Sequence, residues 1–171
     1  MNQEVPPLQL LLVDDEREFV ETLSQRLEQR GLSVTAAFSG QEALSRLEAL
    51  SRLEALSRLE AVGSLEVVLL DVGMPGMDGL ETLSRIKHQW PLMEIVMLTG
   101  QSTLTLAVTA MKQGAFDYLM KPCDLDRLME KLAAAAARKR RRETKIRDVQ
   151  LMPYISQRER EARIAAIMAS D

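Results

Sequence analysis

Five polar positions in this chain close apolar runs, and together they define a candidate chemistry. Asp14 and Asp15 follow residues 8–13, and Asp71 follows 67–70. Thr99 ends the run 94–99, and Lys121 follows 116–120. Carboxylates gathered in one place repel each other, so such a group calls for a hard divalent cation. Oxygen-only ligands in small number suit Mg2+, which keeps several waters and binds beside a phosphate. A lysine and a hydroxyl across from the acids would meet the other oxygens of a phosphoryl group. The chemistry that uses all of these parts is phosphoryl transfer onto a carboxylate. Asp71 is the acid on which this reading centres. Gly73, Pro75 and Gly76 break the chain just beyond it, so it stands at the tip of a buried strand with no basic neighbour in sequence.

These side chains meet only if the apolar runs lie side by side. Residues 8–13, 33–38, 67–70, 94–99 and 116–120 read as strands. Helical patterns separate them. Residues 18–30 carry the stripe Phe19, Leu23 and Leu27, ended by Gly31. Ser39 and Glu42 have capping-box spacing and open a second helix. Asp78 caps a third, with Glu81 three residues on, running to about Gln89. Residues 103–112 form a fourth, closed by Gly114, and Asp124 caps a last, alanine-rich helix. Five βα units in a row imply an α/β fold, a doubly wound parallel five-stranded sheet reached by right-handed crossovers. Its strand ends then gather along one edge, where ligands bind in such sheets.

Four separated motifs occur in order at these strand ends: Asp14-Asp15; Asp71 with Met74-Pro75-Gly76-Met77-Asp78-Gly79; Thr99-Gly100; and Lys121-Pro122. Over residues 8–137 this set resembles the receiver domain of two-component response regulators. The resemblance implies that Asp71 accepts a phosphoryl group from a phosphohistidine on a sensor histidine kinase or phosphotransfer protein. It implies that Asp15 and Asp71 ligate Mg2+ directly with the main-chain carbonyl of Gly73, and that Asp14 holds the ion through water. Lys121 would pair with the phosphoryl group, its bond to Pro122 being cis. Thr99 would bond a phosphoryl oxygen, and Tyr118 would be the aromatic switch that follows it. Output would be a population shift in the face built by the fourth helix, fifth strand and fifth helix. The protein would be a self-modifying phosphoacceptor rather than an enzyme with a separate substrate. Gly73 and Gln101 occupy positions that tune phosphate loss in the family, and neither is an acid. Two other readings stand beside this one. The chain could be the regulatory fragment of a longer transcriptional activator. A Mg2+-dependent phosphatase with the same aspartyl intermediate would carry a second acid where Gly73 stands.

One segment departs from the family. Residues 43–60 repeat Ala-Leu-Ser-Arg-Leu-Glu three times, and two of these hexamers account for an unusually long gap between Asp15 and Asp71. No Gly or Pro follows Gly40 up to Ala61, so the expectation is a single second helix lengthened by roughly 18 Å at ~1.5 Å per residue. A helical hairpin or a swollen loop is the alternative. Leucines at 44, 47, 50, 53, 56 and 59 spiral around such a helix. Those left uncovered could pair with a second copy of the chain, or could simply tolerate solvent. The family's switching face is the other candidate for a homodimer.

Composition bounds the rest. The single cysteine, Cys123, excludes an internal disulfide. No uninterrupted apolar stretch approaches the ~18 residues of a membrane span, and the expected location is the cytoplasm. There is no His/Cys cluster for zinc and no G-x-x-x-x-G-K-[ST] loop for a nucleotide. His88, the only histidine, falls on a helix facing solvent. Residues 1–137 hold 12 basic and 20 acidic side chains, and residues 138–171 hold ten and five. A domain boundary is expected near Arg138, followed by a basic helical tail. The run 138–142 reads as a solvated helix extension, and the tail is too short for a helix-turn-helix, which argues against a nucleic-acid partner. Ser156 and Glu159 have capping-box spacing for a short final helix, expected to dock on its own or a partner's receiver.

Overall fold

The central strands are apolar at nearly every position because both faces of their sheet are covered. The computed structural model describes residues 6–57, 64–100 and 103–170. The strands are β1 (Gln9–Val13), β2 (Ser33–Ala37), β3 (Val67–Leu70), β4 (Glu94–Thr99) and β5 (Asp117–Met120). The helices are α1 (Arg17–Glu28), α2 (Gly40–Ser57), α3 (Gly79–Gln89), α4 (Leu104–Lys112), α5 (Leu125–Leu151) and α6 (Gln157–Ala169). All pairings are parallel, in the order β2-β1-β3-β4-β5. Successive positions along each strand part to opposite faces. Leu10, Leu12, Leu69, Val96 and Leu98 pack with Val20, Leu23 and Leu27 of α1 and Leu128 and Leu132 of α5. Leu11, Val13, Val68, Leu70, Ile95 and Met97 pack with Leu47 of α2 and Leu83 and Ile86 of α3. Each fully buried aliphatic side chain contributes roughly 1.5–3 kcal/mol relative to exposure, so the two layers hold the strand ends in register. The doubly wound sheet expected from the sequence is thus present.

The strand order has one consequence for chemistry. The chain leaves β1 toward β2 on one side and returns to β3 on the other. The carboxyl ends of β1 and β3 therefore flank a topological switch point, where loops diverge and leave a crevice.

The hexapeptide repeat forms one uninterrupted helix as far as Ser57; the remainder of the repeat, residues 58–60, lies outside the described residues. Its opening is the expected cap: Ser39 Oγ accepts from the Glu42 N–H, and Glu42 reaches back to the Phe38 N–H. The leucines divide as the spiral requires. Leu47 is buried, and Leu44 and Leu50 lean on the core, whereas Leu53 is 62% and Leu56 80% exposed.

The C-terminal run corrects the sequence reading. α5 passes residue 138 without a break, and Lys139 and Arg142 are buried, so the run is not a solvated extension. Arg138 makes a bidentate pair with buried Glu94, joined by Arg142, while Arg140 pairs with Glu66 and Lys139 with Glu143. Glu66 and Glu94 sit at the amino ends of β3 and β4, so the run binds the floor of the sheet, opposite the crevice. α6 opens on the expected Ser156 cap and packs back on α5, where Arg142 donates to the Ser170 carbonyl. Among the described residues no helix is long and apolar enough to cross a membrane.

Candidate functional site

Each expected polar residue stands where its strand ends. Asp14 and Asp15 leave β1, Asp71 leaves β3, Thr99 is the last residue of β4, and Lys121 follows β5. Parallel pairing brings these ends to one edge: the Asp71 N–H donates to the Val13 carbonyl, and the Lys121 N–H to the Thr99 carbonyl. Carboxylate oxygens of Asp14, Asp15 and Asp71 all lie within 4.8 Å of one another. Asp14 and Asp71 are buried and Asp15 is exposed, so the trio has one open side.

Local structure holds the loop that carries Asp71. The Gly79 N–H, at the start of α3, donates to the Val72 carbonyl at 2.9 Å. A Cβ on Gly79 would lie 2.1 Å from the Asp71 carbonyl oxygen, so only glycine lets α3 come this close. Gly76 turns the loop with φ of +72°, in the left-handed region. Asp78 then caps α3 by accepting from the Glu81 N–H at 2.8 Å. Gly73 is exposed in this loop.

Among the described residues, one cation, Lys121, lies within ion-pair distance of both Asp14 and Asp71. Lys121 Nζ lies 2.5 Å from Asp14 Oδ2, 3.5 Å from Glu16 Oε1 and 3.9 Å from Asp71 Oδ1. The Lys121–Pro122 bond is cis. Burial works to lower the Lys121 pKa, but the Asp14 hydrogen bond and the charges of Asp71, Asp14 and Glu16 outweigh it and hold the ammonium above its ordinary value. The Asp71 carboxyl is pushed up, first by burial and then by the charge of Asp14. Lys121, a hydrogen bond from the Thr99 hydroxyl and the Val72 N–H oppose that rise. Thr99 is fully buried. The site can therefore hold a cation beside a carboxylate and offer an ammonium and a hydroxyl to whatever that carboxylate binds.

Tyr118 lies on β5, three residues before Lys121. It is half-buried, leans on the core, and lines a groove of about 540 Å³ with Leu104 and Ala107 of α4 and Arg127 of α5. Burial, and then the charge of Asp71, raise its pKa. Gln101 lies outside the described residues. His88 is exposed on α3, as expected.

Two neighbours of Lys121 carry no site role in the sequence reading. Glu16 is not singled out there, and Phe19 counts only as part of an apolar stripe. The Phe19 ring lies 4.0 Å from Lys121 Nζ. The available signal was its place on the first turn of α1, four residues past Asp15, which turns it back toward the strand ends.

Residues 10–133 match the family model for the response regulator receiver domain. The transcriptional regulatory protein ZraR of Salmonella typhimurium is 38% identical over 133 residues, 78% of this chain and 27% of ZraR. A response regulator receiver domain protein from Clostridium thermocellum superposes with a TM-score of 0.67 at 33% identity, over 78% of this chain and 97% of that one. The response regulator TrrA of Thermotoga maritima, solved in complex with Mg2+ and BeF, gives 0.62 at 28% identity, over 75% and 98%. The chain spans about a quarter of the length of ZraR and its NtrC and DctD relatives, and about half that of the transcriptional regulatory protein TctD of Salmonella typhimurium. With the fold, the strand-end residues and these matches in agreement, the chain belongs to the response regulator receiver domain family.

Proposed function

We propose that this chain accepts a phosphoryl group on Asp71 and signals by the change of packing that follows. The observation that carries this reading is the convergence on Asp71 of two further acids, the Thr99 hydroxyl and an ammonium 3.9 Å away. Asp14, Asp15 and Asp71 fit Mg2+: they are hard oxygen donors only, close together, and open to water on the Asp15 side. Asp15 and Asp71, with the Gly73 carbonyl, would hold the ion directly, and Asp14 through water. Bound there, Mg2+ would neutralise charge on the phosphoryl oxygens as they approach the carboxylate.

The chain's own residues do the rest. An Asp71 carboxylate oxygen attacks phosphorus on a phosphohistidine of a sensor kinase or phosphotransfer protein. The P–N bond breaks and the imidazole keeps its electron pair. Lys121 moves to a phosphoryl oxygen, a charge-assisted contact it makes only once that oxygen arrives. Thr99 redirects its hydroxyl from Asp71 to another phosphoryl oxygen. Tyr118 fronts the groove between β5, α4 and α5, so a shift at Thr99 reaches the surface through it. No separate small substrate is turned over. Four of the five cations in 138–142 are already paired, which supports a role in docking the helix rather than in binding nucleic acid.

A second reading concerns context. The matched relatives include proteins named as DNA-binding transcriptional regulators, over about a quarter of their length. In that setting the same switch would govern a DNA-binding output supplied outside this domain.

The test is modification by acetyl phosphate with Mg2+, read by intact mass, and beryllofluoride binding, read by NMR shifts. Wild type responds to both and Asp71→Asn to neither. Equal responses from the two proteins overturn the assignment.

A further inference from the structure

The ammonium of Lys121 and the expected cation want the same carboxylate. Lys121 Nζ is 2.5 Å from Asp14 Oδ2, its shortest contact, and Asp14 is one of the three acids that cluster for a metal. A cation drawn to that cluster takes Asp14 away from the lysine. The lysine side chain is only 14% exposed, so it cannot simply return to water. Two groups remain beside it on the α1 side. The Phe19 ring centroid lies 4.0 Å from Nζ, with its electron-rich face toward the charge. Glu16 Oε1 lies 3.5 Å away on a side chain that is 68% exposed, so its charge is available without a burial penalty. Phe19 lines a cleft of about 190 Å³ with Leu98, Lys121 and Pro122, which leaves the lysine room to shift toward the ring. Packing of α1 asks only for an apolar residue at 19, and leucine would serve.

We propose that Phe19 and Glu16 are positioning residues for Lys121. They form a cradle that takes the ammonium when Mg2+ claims Asp14, and so keep it beside Asp71 until a phosphoryl group arrives. This rests on the reading of the acid trio as the Mg2+ site.

The experiment titrates Mg2+ alone into the full chain and follows two readouts, Mg2+ affinity by calorimetry and the Lys121 Hε protons by NMR. In wild type, Mg2+ saturation moves those protons further upfield as they settle over the ring. Phe19→Leu weakens Mg2+ binding about three- to tenfold, the range a partly buried cation–π contact supplies, while Phe19→Tyr preserves it. In a Lys121→Met background the Phe19→Leu change has no effect on Mg2+, since no ammonium needs a cradle. The proposal is overturned if Phe19→Leu binds Mg2+ like wild type, or if it costs the same with Lys121 absent. It is also overturned, without any variant, if the Lys121 protons move downfield in wild type. Should wild type take up no Mg2+ at all, the functional reading fails and this inference with it.

Discussion

Neutralising Glu94 tests whether the basic run truly belongs to the floor of the domain. Glu94 is fully buried, with Arg138 bonded to its two oxygens at 2.7 and 2.5 Å and Arg142 Nη1 at 3.4 Å from Oε1. Lys87 also stands near: burial lowers its pKa, Arg138 and Arg142 add to that, and Glu94 opposes it. Glu94→Gln leaves these three cations around a neutral amide. Removing one partner of a buried pair costs about 3–5 kcal/mol. The side chains of Arg138 and Arg142 keep 18% and 10% exposure, so some charge rehydrates, and the lower end, about 3 kcal/mol, is expected. For a domain of this size that corresponds to a fall in Tm of roughly 6–12 °C. Urea and thermal unfolding measure it, and limited trypsinolysis at 138–142 shows whether α5 loosens there. Glu66→Gln is the control. Its partner Arg140 is 48% exposed, so the loss should not exceed about 1 kcal/mol. A Glu94→Gln loss no larger than that of the control, with tryptic protection unchanged, would refute the clasp.

Further outcomes follow from the site and from the repeat. Gly79→Ala would press a methyl into the Asp71 carbonyl and the Val72 backbone, at 2.1 and 2.6 Å, and should cost about 2–3 kcal/mol in denaturant unfolding while slowing phosphorylation. A change within 0.5 kcal/mol would mean that α3 retreats freely, since that is the usual size of an unconstrained surface substitution. Asp71 has a raised pKa in the folded chain, so its ionised form costs stability at pH above that raised value. The cost fades as pH falls through it toward the ordinary 3.8. Without Mg2+, Asp71→Asn should therefore be more stable than wild type near neutrality, with a margin that shrinks in acid; a margin that widens in acid contradicts the burial argument. Leu53 and Leu56 are exposed on α2, and pairing with a second copy would recover roughly 1.5–3 kcal/mol for each. Light scattering after size exclusion should show wild type self-associating at high concentration and Leu53→Lys/Leu56→Lys monomeric; a monomeric wild type removes that interface.

Much of the fold can be read locally. Continuous apolar runs announce strands covered on both faces, and Ser39, Asp78, Thr103, Asp124 and Ser156 mark helix starts because a side-chain oxygen there meets a free N–H. Strand order makes the strand-end residues converge, so Asp14, Asp15, Asp71, Thr99 and Lys121 were legible as a group. What each touches was not. The ammonium lies nearer Asp14 than Asp71, and a phenylalanine of the apolar stripe sits over it. Those are differences of an ångström or so, set by how α1 and β5 pack.

The clearest failure of local reading is the run 138–142. A stretch of five basic residues has the composition of a solvated surface whether or not it is paired. Its partners, Glu94 and Glu66, lie 44 and 74 residues back. Glu94 in turn looks like nothing more than the start of a strand. Sequence by itself determined which segments become strands and helices and which polar residues end them, because those are short-range effects of burial, capping and backbone freedom. The direction in which α5 leaves the sheet decided which charges are buried together, because charge pairing depends on distance in space, and distance along the chain carries no information about it.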